Sequence, residues 1–279
     1  MSELSFQLGM AQILVEGGKP TENLDRAVRA IQRAADQGCR VVVLPECLDL
    51  GWTDPSARTL AQPIPGSHVE RLADAARKAK VFVAAGLVER AGSRLFNAAV
   101  LLGPAGELLL HHRKINELDI AHDLYSIGDR LGVVETELGT FGLAICADNF
   151  PTSLSIGHVL ARMGAQVILS PSAWAVDAHR DHVREPYGKL WLDAYSELAR
   201  LFDVTVVGVS NVGWLTSGPW KGRKCIGCSL ALGPEGVLAM GPFGESAEVL
   251  IRVEVTPRPP IGRGTQIAEA LKSRGYAGS

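Results

Sequence analysis

Arg40-Val41-Val42-Val43-Leu44-Pro45-Glu46 is a β-branched run stopped by a proline and followed at once by a carboxylate. Consecutive valines without polar alternation read as a strand covered on both faces, as in the middle of a parallel sheet. Ahead of it, Pro20-Thr21-Glu22-Asn23 offers cap residues, and Leu24, Ala27, Val28, Ile31 and Ala35 recur at helical spacing until Gly38. The short apolar segment Phe6 to Val15 reads as an earlier strand. Downstream, a helix is expected from about Ser67 to Lys80 and a buried strand over Val81 to Val88. Leu95 to Gly103 and Glu107 to Arg113, about the Pro104-Ala105-Gly106 turn, read as a hairpin.

The second half has the same rhythm. Phe141 to Cys146 reads as a strand, His158 to Met163 as part of a helix, and Val167 to Ser170 as a strand ended by Pro171. Tyr187 to Phe202 reads as a helix and Val204 to Ser210 as a strand, so two helix-strand-Pro-helix-strand units result. A hairpin of Cys225 to Leu232 and Val237 to Met240 and a strand over Glu248 to Val255 complete the core. Helices alternating with buried strands predict an α/β layered domain. No composition shift marks a linker, so residues 1–256 are read as one domain and the Pro-, Gly- and Arg-rich residues 257–279 as a tail, exposed or at a subunit interface.

Of 279 residues, 47% are hydrophobic and 21% charged, with 28 Lys and Arg against 30 Asp and Glu, a balance that excludes disorder and offers no basic field for nucleic acid. A chain of this length buries enough surface to hold a core without disulfides or metals. Met1 to Met10 lacks the cationic start of a signal peptide, and no apolar window is long enough to span a membrane. Cys39, Cys47, Cys146, Cys225 and Cys228 are odd in number and scattered, which fits reduced thiols in a cytoplasmic protein.

In such sheets, reactive residues sit beyond the C-terminal ends of strands. Two residues stand there. Cys146 ends the apolar run Gly142-Leu143-Ala144-Ile145, just before Ala147-Asp148-Asn149-Phe150-Pro151, where a thiol could act as nucleophile if a base or positive field activated it. Glu46 follows its strand directly, where burial would raise its pKa toward that of a general base. Lys114, in His111-His112-Arg113-Lys114, could point inward as a cation; taken alone it reads as a solvated lysine.

Together the three motifs carry a resemblance. Val43-Leu44-Pro45-Glu46, Arg113-Lys114 after a hairpin, and Gly142-Leu143-Ala144-Ile145-Cys146-Ala147-Asp148 before Phe150-Pro151 resemble the nitrilase, or carbon-nitrogen hydrolase, superfamily. The likeness continues through Gly128-Asp129, Glu135-Thr136, Ser170-Pro171-Ser172-Ala173-Trp174, Asn211-Val212-Gly213 and Gly227-Cys228-Ser229, and spans about residues 6 to 255. It implies a four-layer α-β-β-α sandwich that dimerises through helices, and a Glu46-Lys114-Cys146 triad. In that scheme Glu46 takes the thiol proton, Cys146 attacks a carbonyl carbon, and Lys114 with the backbone N–H of Ala147 holds the oxyanion.

The family's second acid, in the loop after the lysine, does not align securely. Asp123 is preferred on position, with Glu117 as its rival and a surface acid as the bland alternative. Ala147 replaces the larger residue many relatives carry after the cysteine. Trp52, Asn149 and Trp174 follow strand ends and are candidate pocket walls, although a turn asparagine and core tryptophans are equally good readings. Cys225-Ile226-Gly227-Cys228 lacks a second ligand pair, His179 and His182 lack an acidic partner, and no P-loop or dinucleotide fingerprint occurs, so neither metal nor cofactor is implied. The leading expectation is a cofactor-free thiol hydrolase of a small amide or N-carbamoyl compound. Nitrile hydrolysis and acyl transfer are variants of it, and a catalytically silent binding module is the competitor.

Overall fold

The computed structural model of the chain describes residues 5–276. The first half contains β1 (Phe6–Gln12), α1 (Pro20–Asp36), β2 (Val41–Val43), α2 (Ala57–Leu60), α3 (Ser67–Ala79), β3 (Phe82–Ala91), β4 (Arg94–Leu102) and β5 (Leu108–Arg113). The second contains β6 (Val133–Thr136), β7 (Gly139–Leu143), α4 (Leu154–Arg162), β8 (Val167–Ser172), β9 (Ala175–Val176), α5 (Lys189–Phe202), β10 (Thr205–Ser210), β11 (Val212–Trp214), β12 (Lys224–Ile226), β13 (Leu230–Gly233), β14 (Gly236–Met240), β15 (Val249–Val255) and α6 (Thr265–Ser273).

Two sheets, β15-β1-β2-β3-β4-β5 and β14-β13-β10-β8-β7-β6, share one plan. Each has a parallel trio at its centre, β1-β2-β3 in one and β7-β8-β10 in the other, flanked by antiparallel strands. Strand alternation assigns the faces. Val41 and Val43 point into the layer between the sheets with Leu8, Met10, Phe141, Leu143 and Leu169, whereas Val42 joins the outer cluster with Leu24, Ala27, Ile31, Leu72 and Ala76 of α1 and α3. Leu160 of α4 and Leu198 and Phe202 of α5 cover the other sheet. The result is a mixed α/β fold of four layers, helices outside and sheets within, as expected. No helix among the described residues is long and apolar enough to cross a membrane.

Three stretches depart from the sequence pattern. The strand expected to reach Cys146 stops at Leu143, because Cys146–Asn149 wind into a 3-10 turn. The continuous strand expected over Cys225 to Leu232 breaks at Gly227 and Cys228, both at positive φ, so that β12 joins a small sheet with β11 and β9 while β13 enters the second large sheet. Where only a tail was expected, α6 forms, with Ile267 and Leu271 buried on the core and Arg274 bonded to Asp203 at 2.6 Å. Residues 1–4 and 277–279, the ends of the two expected segments, lie outside the described residues.

Candidate active site

Local geometry explains how each side chain reaches the space between the sheet ends. The chain turns sharply after β2, and Gly86 of β3 passes so close that a Cβ there would lie 2.5 Å from the Glu46 Cα. The Glu46 N–H donates to Ser172 O at 3.1 Å, tying the end of β2 to the end of β8 in the other sheet. Beyond β5, the Lys114 N–H donates to Asn97 O of β4 at 2.8 Å, which extends the ladder by one residue and turns Lys114 inward as Arg113 turns outward. Cys146 opens its 3-10 turn at φ +44°, a left-handed conformation that costs a non-glycine residue of order 1 kcal/mol and is tolerated where the surroundings enforce it.

Lys114 Nζ lies 2.7 Å from Glu46 Oε1 and 3.2 Å from Glu117 Oε1. Asn97 Nδ2 donates to both carboxylates, at 2.6 Å to Glu46 and 3.0 Å to Glu117. Glu46 and Lys114 are almost wholly buried, and Cys146 retains 7% exposure. Burial raises the Glu46 pKa, the Glu117 carboxylate adds to the rise, and Lys114 and Asn97 oppose it without cancelling it. Burial alone would drive Lys114 down, but Glu117 and Glu46 together hold it well above its ordinary range. The Cys146 thiol is pushed well up by burial and then by Glu46, against the pull of Lys114. The resting cluster therefore holds a protonated thiol beside a carboxylate of raised basicity.

A second buried network fixes the cysteine turn to the lysine loop. Asp148 Oδ1 accepts the N–H groups of Ile115 and Asn116 at 3.1 and 2.7 Å, and Oδ2 accepts that of Ile145 at 2.9 Å. His112 Nε2 lies 2.8 Å from Oδ2. Asn116 Nδ2 and Ser153 Oγ both donate to Ala147 O, at 2.6 and 2.7 Å. Ser170 Oγ of β8 accepts the Cys146 N–H at 3.3 Å and Asn149 Nδ2 at 3.0 Å.

The residues singled out from sequence separate on this geometry. Glu46, Lys114 and Cys146 converge. Of the two acids, Glu117 is buried against Lys114 while Asp123 is exposed and only its backbone carbonyl is engaged, by Arg58, so the positional preference for Asp123 is reversed. Trp52 lies with its ring centroid 6.0 Å from Lys114 Nζ. Asn149 Nδ2 donates to Ser170 Oγ beneath the cysteine turn and Trp174 stacks on Trp191 at 4.7 Å, while Asn149 Oδ1 and Trp174 Nε1, both buried, have no partner among the described residues. The Ala147 N–H belongs to the first turn of a 3-10 helix, where amides have no intrahelical carbonyl to bond.

Asn97, His112, Asp148 and Ser170 join the site in the folded chain without being site candidates on the sequence pattern. Asn97 had a legible signal, a lone amide inside the apolar strand Leu95 to Leu102, since a buried amide demands polar partners. Chemically, the arrangement offers a nucleophile, a carboxylate able to shuttle a proton, and a fixed cation. Among the described residues, no group of three or more His, Cys, Asp or Glu is placed to hold a metal ion.

The model of the carbon-nitrogen hydrolase family matches residues 7–258. Omega-amidase NIT2 of Xenopus tropicalis is 32% identical over 179 residues, covering 61% of this chain and 64% of the relative; the Danio rerio protein of that name matches equally, with 32% identity over the same coverage. The matched stretch thus spans less than two thirds of these curated relatives. A carbon-nitrogen hydrolase from Helicobacter pylori superposes with a TM-score of 0.81 at 20% identity, covering 97% of this chain and 93% of the other. An amidase from Nesterenkonia sp. does so with 0.76 at 20% identity, covering 92% of each.

Proposed function

The chain belongs to the carbon-nitrogen hydrolase family, and from that premise we propose that it hydrolyses a non-peptide C–N bond of a small amide or N-carbamoyl compound through a thioester on Cys146. The observation that carries this reading is the buried Glu46–Lys114 pair at 2.7 Å beside a cysteine held at positive φ.

As the Cys146 sulfur bonds to the carbonyl carbon, the thiol proton passes to Glu46 and the C=O π pair becomes an oxyanion held by Lys114 Nζ and the Ala147 N–H. When the C–N bond breaks, the proton on Glu46 goes to the leaving nitrogen, releasing ammonia or an amine and leaving the thioester. Water then adds to the thioester, giving a proton to Glu46. The carbon–sulfur bond breaks, the thiolate recovers that proton, and a carboxylic acid departs. Glu117 keeps Lys114 charged through both halves of the cycle. Trp52, whose buried Nε1 has no protein partner among the described residues, is placed to hold the substrate near Lys114.

The partner is a small amide or carbamoyl molecule, with no nucleic acid or membrane required. The five free thiols support a reducing, cytoplasmic setting. Val159 on α4, Met163 just past its end and Leu190 on α5 are exposed apolar residues that support a homodimer formed through these helices.

Ammonia release from small amides, N-carbamoyl amino acids and amines, and nitriles tests the reading, with Cys146→Ala in parallel. Release by the unaltered protein alone is expected. Silence across the panel, together with Cys146 alkylating no faster than Cys39, would leave the binding-module reading in its place.

A further inference from the structure

The strands that present Asn97 and Lys114 inward present a different set of side chains on their outer face. Arg94 at the β3–β4 turn, His111 and Arg113 on β5, and Asp129 and Arg130 on the following loop line a surface cavity of about 320 Å³. Every lining side chain is ionisable and three are arginines.

Two of the cations, Arg113 and Arg94, are supported by fixed partners, while the Arg130 side chain is exposed. Arg113 donates through Nε and Nη2 to the buried Glu89, at 2.7 and 2.6 Å, which leaves three of its five N–H groups free of that carboxylate. His111 Nε2 lies 2.9 Å from the same carboxylate. The Arg113 guanidinium sits 4.1 Å and that of Arg94 5.1 Å from the Phe96 ring centroid, so one buried ring supports two like charges.

Gly128 allows the third to approach. A Cβ there would lie 2.0 Å from Arg113 O, and the Gly128 N–H donates to Lys114 O at 2.8 Å. The backbone of the next residues, Asp129 and Arg130, therefore passes close to β5, with Arg130 O 3.3 Å from His112 Nδ1, while their side chains extend into solvent.

The local charge is not balanced. Glu89 is used by Arg113 and His111, Asp129 reaches Arg130 only at 3.8 Å, and Arg94 has no carboxylate within ion-pair distance among the described residues. A neighbouring cavity of about 310 Å³ shares Arg94 and adds Arg58, Arg90 and His122 against Asp123. Three guanidinium groups line the cavity against the two carboxylates of Glu89 and Asp129, so one positive charge is left unmatched, and planar guanidinium forks match phosphate oxygens.

We infer that the cavity bounded by Arg94, Arg113 and Arg130 binds a small multivalent oxyanion of the phosphate class, either free or as a phosphate ester. It lies on the sheet face opposite the Glu46–Lys114 cluster and does not depend on the activity proposed above.

Calorimetric titration of the full chain with inorganic pyrophosphate and with glycerol 3-phosphate, at matched ionic strength, tests the site. Saturable one-to-one binding of at least one is expected, and the tighter of the two identifies the free or the esterified form. Arg94→Glu should weaken that binding at least tenfold, whereas Asp129→Asn should tighten it about two- to fivefold. Both residues are exposed, so neither change empties the core. Absence of saturable heat with both anions, or Arg94→Glu titrating like the unaltered protein, would overturn the assignment.

Discussion

Glu117 and Asp123 stand on one loop, yet only Glu117 lies within 3.2 Å of Lys114 Nζ and shares Asn97 with Glu46. Removing its charge while keeping its shape weakens the field that holds Lys114 protonated and lowers the Glu46 pKa, since Glu117 contributes to raising it. Glu117→Gln should therefore reduce kcat on the order of 10²-fold and move the acidic limb of kcat/KM to lower pH. Asp123→Asn should stay within about twofold of the unaltered protein. Steady-state amide hydrolysis across pH separates the two; equal losses in both variants would refute the role given to Glu117.

Between elements, Asp148 is the joint. Its carboxylate gathers three backbone N–H groups and His112, linking the cysteine turn after β7 to the loop after β5. Burial opposes ionisation there, but His112 and the backbone donors win and hold the Asp148 pKa below its usual range. Asp148→Asn leaves an amide facing donors it cannot all accept. Urea denaturation should register a loss of roughly 3 kcal/mol, the upper scale for hydrogen bonds to a buried charged group. Turnover should fall in the same variant because Cys146 and Lys114 lose their common anchor, while the isosteric Ser170→Ala, which removes one weaker acceptor, should cost nearer 1 kcal/mol.

Across the entire chain, acid should unfold the protein through carboxylates that the fold keeps ionised. Burial raises Glu89, but the hydrogen bonds and charges of Arg113 and His111 outweigh it and bring the pKa to about 2. Asp148 is lowered in the same sense. A depressed folded pKa contributes stability above the unfolded value, near 4 for a carboxylate, and that contribution is lost as pH falls through the folded value. The urea midpoint should drop between about pH 4 and pH 2, and Glu89→Gln should flatten that slope. A midpoint independent of pH over this interval would count against the ion pairs described.

The layered α/β architecture and the place of Glu46 could be read from Val41-Val42-Val43-Leu44-Pro45, because strand and helix periodicities are local; proline is a weaker stop, since β2 closes before Pro45 but β8, expected to end at Pro171, carries it in register with Val209 and runs on to Ser172. Glu46 and Cys146 could be marked as candidates by their place just beyond apolar runs, whereas Lys114, which alone reads as a solvated lysine, joined them only through the family resemblance of the three motifs together. The partners of Lys114 could not be picked out. Which acid faces it depends on the path of a loop with no periodic pattern, and that path is set by contacts such as Tyr125 OH with the Thr53 N–H and Gly128 with β5. The break at Gly227 and Cys228 was hidden for a related reason: an apolar run looks the same whether one sheet or two receive it, and only packing against Gln12, whose amide occupies the space a Gly227 Cβ would need, separates them. Asn97 stands out in the sequence as a lone amide in an apolar strand, but its partners, and the roles of Asp148 and Ser170, became visible only when segments distant in sequence lay side by side, because a buried hydrogen bond is a property of two positions and a sequence pattern describes one at a time.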